Sequence, residues 1–160
     1  MENATGIDSK RRIFMVGIII VTHGGLGEAL LETATLINGR PPEKVAALSM
    51  DRATDPEGLR EKLSAAIRSV NGGGKVVILT DMYGGTPCNL SLSFIQKGRV
   101  EVISAVNLPI LPRAIDARDR MGFTELMNCL EACGKRNIFR AVGVLDKTGG
   151  DCCPLGSNPG

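Results

Sequence analysis

Ile13-Phe14-Met15-Val16-Gly17-Ile18-Ile19-Ile20-Val21-Thr22-His23-Gly24-Gly25 is the stretch that decides the fold. Residues 13–21 are apolar and rich in β-branched side chains, the composition of a central parallel strand buried on both faces. The run stops at Thr22-His23, and a glycine pair follows. Beyond it Leu26, Ala29, Leu30, Thr33, Ala34 and Ile37 recur at helical spacing. Asn38-Gly39 stops that helix and Pro41-Pro42 confirm the break. A strand, a glycine turn and an amphipathic helix form the opening unit of an α/β fold. His23, the only histidine in the chain, stands at the turn.

The same alternation continues. Val45 to Met50 reads as a short second strand. Thr54-Asp55-Pro56-Glu57 reads as a helix start with a capping box from Thr54 to Glu57. Leu59, Leu63, Ala66, Ile67 and Val70 line one face of that helix, and Asn71-Gly72-Gly73-Gly74 ends it. Lys75 to Asp81 is a third strand that closes on an acid. After the loop Met82-Tyr83-Gly84-Gly85 comes a helix with Leu90, Leu92, Phe94 and Ile95. Val100–Val106 is a strand, Ile110, Leu111, Ala114 and Ile115 mark a helix, Thr124 caps another through Cys133, and Ile138–Leu145 is a final strand. The pattern predicts a doubly wound α/β domain: a mostly parallel central sheet with helices on both faces. Residues 1–12 read as a flexible arm, 13–145 as the folded domain and 146–160 as a disordered tail.

Composition narrows the function. The 160 residues suit one domain with one sizeable core. The chain has four Phe, one Tyr and no Trp, too few rings for a protein that stacks bases. A net charge of +2 with scattered basic residues argues against a polyanion partner, so no nucleic acid is expected. The apolar run before His23 is nine residues, too short to span a bilayer. Arg11 and Arg12 before it imitate a secretion signal, but Glu2, Asp8 and the absence of a small-residue cleavage pattern favour a buried strand. Five cysteines, at 88, 129, 133, 152 and 153, form no disulfide framework and read as reduced cytosolic thiols. No metal site and no cofactor are expected.

Parallel α/β sheets place ligands beyond the C-terminal ends of their strands. His23 and Asp81 both fall at such ends, so the two can meet. A carboxylate bonded to one imidazole nitrogen fixes the tautomer and leaves the other nitrogen nucleophilic. Gly84-Gly85 lets backbone N–H groups approach an anion, Thr86 adds a hydroxyl, and Pro87 suits the first turn of a helix. The combination fits a phosphoryl group held on His23 without a metal. Plainer readings stay open: His23 as a hydrogen-bonded structural residue, Gly84-Gly85 as a turn, Asp81 as a helix cap. The glycines form neither a phosphate-binding Gly-Lys-Ser/Thr loop nor a dinucleotide fingerprint, and no Gly-x-Ser-x-Gly elbow supports a hydrolase.

Three motifs occur in order: Gly17-Ile18-Ile19-Ile20-Val21-Thr22-His23-Gly24, Asp81-Met82-Tyr83-Gly84-Gly85-Thr86-Pro87-Cys88-Asn89, and Val106-Asn107-Leu108-Pro109. Together they resemble the mannose-type IIA component of the bacterial phosphoenolpyruvate:sugar phosphotransferase system, over roughly residues 13–145. The resemblance implies that His23 is phosphorylated, that Asp81 orients it, and that Gly84, Gly85 and Thr86 cradle the phosphoryl group. It implies a transferase that takes phosphate from the carrier HPr and passes it to a IIB component, which phosphorylates sugar at a membrane permease. The contact with the membrane is then only indirect. It also implies a cytoplasmic homodimer, with Ile138–Leu145 as the candidate for an antiparallel strand exchanged between subunits. Two alternatives remain: a regulatory sensor of HPr phosphorylation, and a IIA-like subunit linked to dihydroxyacetone kinase.

Overall fold

The computed structural model describes residues 15–71 and 74–140. Four strands, β1 (Gly17–His23), β2 (Val45–Met50), β3 (Val76–Thr80) and β4 (Val100–Ile103), form one sheet in the order β2-β1-β3-β4. Every neighbouring pair is parallel: Ile18 lies beside Val45 and Val77, and Ile78 beside Val102. Five helices flank the sheet among the described residues: α1 (Leu26–Asn38), α2 (Pro56–Val70), α3 (Thr86–Leu92), α4 (Ile110–Ala117) and α5 (Phe123–Arg136).

Alternation along the two central strands builds two cores. Ile18, Ile20, Val77 and Leu79 face one side, where Ala34 of α1, Leu111 and Ala114 of α4 and Leu126 and Leu130 of α5 cover them. Ile19, Val21, Val76 and Ile78 face the other, against Leu59, Leu63, Ala66 and Val70 of α2 and Leu90 of α3. Each fully buried Ile or Leu stabilises the fold by about 1.5–3 kcal/mol. A β-rich run apolar on both faces therefore needs helices on both faces, and it has them.

The strand order sets the site. From β1 the chain moves outward to β2, then returns past β1 to β3. The C-terminal crevice between β1 and β3 is the switch point where such sheets bind ligands. The opposite end of the sheet is closed. A Cβ on Gly17 would lie 2.6 Å from the Val70 carbonyl oxygen, so strand and helix touch there through backbone. Arg118 is buried beneath, donating to the carbonyls of Glu43 at 2.6 Å and Val16 at 3.4 Å. Burial pushes its guanidinium below the ordinary value, while Asp119 and Glu43 oppose that shift.

Several elements depart from the sequence reading. β4 ends at Ile103 rather than Val106, because Ala105 takes φ +63° and the Val106 N–H returns to the Thr80 carbonyl. α2 is capped by Asp55, whose carboxylate accepts from the Gly58 N–H at 3.2 Å. Thr54 bonds Asp51 instead, since Pro56 at the first helical position makes Asp55 the cap. α5 starts at buried Phe123 with Gly122 as its cap, not Thr124. α1 buries Gly27 and Ala34 and leaves Leu26 and Ile37 exposed, so its packed stripe is narrower than the spacing implied. Of the expected last strand, residues 138–140 carry no strand, and 141–145 lie outside the described residues. The arm at 1–12 and the tail at 146–160, with Cys152 and Cys153, also lie outside them. Among the described residues no helix is long and apolar enough to cross a membrane.

Candidate functional site

β1 ends at His23, and Asp81 follows β3 directly. One carboxylate oxygen of Asp81 accepts twice from His23: from the backbone N–H at 2.8 Å and from Nδ1 at 2.8 Å. The other oxygen accepts from the Met82 N–H at 2.9 Å. An ionised carboxylate only accepts, so Nδ1 carries a proton, and in the neutral ring Nε2 keeps its lone pair. The His23 side chain is 45% exposed and that of Asp81 only 12%. Burial works against the Asp81 charge, but the hydrogen bonds from His23 and Met82 outweigh it and hold the carboxyl below its usual range.

The glycine loop closes on the same ring. A Cβ on Gly85 would lie 2.8 Å from His23 Cε1 and 3.6 Å from Nε2. No side chain fits there without displacing the imidazole. Gly85 has φ −73°, so its role is space; Gly84 has φ +79°, which its lack of a Cβ permits. Thr86 begins α3 and is exposed. The structure thus brings together His23, Asp81 and Gly85, with Gly84 and Thr86 on either side in the same loop.

Three supports escaped the sequence reading. Buried Thr22 accepts at Oγ1 from the Gly27 N–H at 2.8 Å, tying the start of α1 to the end of β1. The Gly24 N–H donates to the Met50 carbonyl at 2.7 Å, fixing the turn after His23. Asn89 donates from Nδ2 to the Gly84 carbonyl at 3.0 Å. A threonine closing an otherwise apolar strand was a visible signal for the first. Gly24 and Asn89 lie in the motifs quoted above, but nothing in the sequence showed which groups they bond.

Residues 17–131 match the family model EIIA-man, described as the phosphotransferase system (PTS) fructose IIA component. The chain belongs to the mannose-type EIIA family. It is 31% identical over 134 residues to the "PTS system fructose-specific EIIA component" of Bacillus subtilis (strain 168), covering 83% of this chain and 91% of that one. It is 33% identical over 125 residues to the "PTS system mannose-specific EIIAB component" of Escherichia coli (strain K12), covering 77% of this chain but 38% of that protein. Among solved structures, the phosphotransferase system component EIIA from Streptococcus agalactiae superposes with a TM-score of 0.72 at 26% identity, over 81% of this chain and 99% of that one. As an EIIA component the protein is part of a phosphotransferase system, which couples phosphoryl transfer to sugar uptake.

Proposed function

We propose that His23 of this EIIA component accepts a phosphoryl group from phospho-HPr on Nε2 and hands it to a IIB component, in the cytoplasm and as a homodimer. The observation that carries the reading is the pairing of His23 Nδ1 with the Asp81 carboxylate at 2.8 Å. That bond leaves Nε2 as the only nucleophilic nitrogen of a half-exposed ring beside Gly85.

The transfer balances without a metal. The Nε2 lone pair forms a bond to phosphorus as the nitrogen–phosphorus bond of the donor histidine breaks, and the donor ring keeps that electron pair. The proton on Nδ1 stays in place. Positive charge that develops on the His23 ring is offset by the adjacent carboxylate of Asp81. Phosphoryl transfer asks mostly for positioning and for donors around the oxygens, and a loop of Gly84, Gly85 and Thr86 suits that demand. Transfer onward to IIB is the same step in reverse geometry. The membrane enters only through the permease that IIB serves.

The test is intact-protein mass spectrometry after incubation with phosphoenolpyruvate, enzyme I and the cognate HPr. One acid-labile phosphoryl group on the wild type and none on His23→Ala is the expected result. His23 lies at an exposed strand end, so the variant should keep its fold. Full phosphoryl uptake by His23→Ala would end this reading.

A further inference from the structure

The glycine loop is held from behind by a residue with no part in the transfer just described. Asn89, in α3, donates from Nδ2 to the Gly84 carbonyl at 3.0 Å, and its backbone N–H donates to the Gly85 carbonyl at 2.9 Å. One residue therefore grips two consecutive carbonyls of the loop. The peptide between Gly84 and Gly85 is the one most in need of such a grip. It joins two residues without side chains, and Gly84 sits at φ +79°, where rotation of the peptide meets little steric resistance.

A trans peptide carries its C=O and its N–H on opposite edges. With the Gly84 oxygen turned to Asn89, the Gly85 N–H lies on the edge away from Asn89. It has no backbone acceptor among the described residues. Gly85 is also the residue that packs against the imidazole. If this peptide flipped, its carbonyl oxygen and its N–H would exchange edges, and the loop would turn an acceptor where a phosphoryl group needs a donor.

We infer that Asn89 is a positioning residue for phosphoryl transfer: by holding the Gly84 carbonyl outward, it aims the Gly85 N–H at the phosphoryl oxygens on His23. The inference rests on the reading of His23 as the phosphoryl carrier. Asn89 never touches the phosphoryl group. It acts through the direction of one peptide.

The experiment compares wild type, His23→Ala, Asn89→Leu and Asn89→Gln for the rate of phosphoryl uptake from phospho-HPr. Leucine keeps the size of asparagine without its donor; glutamine keeps an amide donor on a longer arm. Asn89→Leu should lower the saturating rate about tenfold to hundredfold, with the KM for phospho-HPr nearly unchanged. Asn89→Gln should recover much of that loss. The melting temperatures should stay close, since the side-chain bond is at an exposed position. A wild-type rate in Asn89→Leu, a change confined to KM, or a loss that Asn89→Gln leaves untouched would each overturn the role. If Asn89→Leu does not fold, the wild-type protein still decides. The Gly85 amide resonance should move downfield on phosphorylation, and an unmoved resonance overturns the inference. Wild type that accepts no phosphoryl group, or His23→Ala that accepts one, would instead sink the carrier reading itself.

Discussion

At the N-terminal end of the sheet Arg118 is 4% exposed and Gly17 lies against the Val70 backbone; at the C-terminal end the His23 side chain is 45% exposed and is held by a single carboxylate. Both ends use one charged group to bind pieces of chain that are far apart in sequence. Arg118 links the starts of β1 and β2 through main-chain carbonyls, and its charge is enclosed. Asp81 links the ends of β1 and β3 through His23, and the ring it holds faces outward. The comparison separates two jobs. Contacts at the closed end stabilise the sheet, and contacts at the open end orient an imidazole whose loss the fold should tolerate.

The sharpest way to break that comparison is a methyl group at each end. Gly85→Ala places one 2.8 Å from His23 Cε1, at backbone angles alanine adopts freely. The ring must turn or shift, and a displacement near 1 Å lowers a positioned transfer by about a hundredfold. Stability should barely change, because the loop is open to solvent. Single-turnover uptake from phospho-HPr together with a melting curve checks both halves. An undiminished rate would mean that Gly85 is only a turn.

Gly17→Ala is the reciprocal change. Its methyl would lie 2.6 Å from both the Val70 carbonyl oxygen and a Val70 methyl group. Backbone cannot yield as a flexible side chain does, so strand and helix must part, at a cost of about 1–3 kcal/mol. Phosphoryl uptake per folded molecule should stay near wild type. Denaturant unfolding and the same uptake assay measure the pair. If transfer fell as far as in Gly85→Ala while stability held, the two ends would not be independent.

How much of this was visible in the sequence follows the same division. The central strands were legible because Ile18 to Val21 and Val76 to Leu79 are apolar at every position, which only a sheet covered on both faces accommodates. The meeting of His23 and Asp81 was legible from topology alone: both close a strand, and parallel strands end on one side. Finer detail depended on backbone direction, which composition does not carry. Ala105 at positive φ cut β4 short, though alanine gives no warning of it. Two adjacent glycines were plain to see. That one is needed for its backbone angle and the next for its empty Cβ position was not. The grip of Asn89 on Gly84 was equally hidden, because it depends on which way one peptide faces.

The smallest effect concerns the charge on Asp81. Its carboxyl titrates below the ordinary 3.8, with burial opposing the charge and the bonds from His23 and Met82 favouring it more strongly. A depressed folded-state pKa means that the unfolded chain takes up this proton first. The stability these bonds contribute is therefore fully present above the ordinary value and is lost as pH falls through the lower, folded-state value. Asp81→Asn removes the charge at every pH. The stability gap between wild type and this variant should be present at about pH 5 and should close in stronger acid. Chemical denaturation across that range measures it. A gap that survives full protonation would mean that Asp81 acts by shape rather than charge, and the open end would then resemble the closed one, a structural tie that happens to include a histidine.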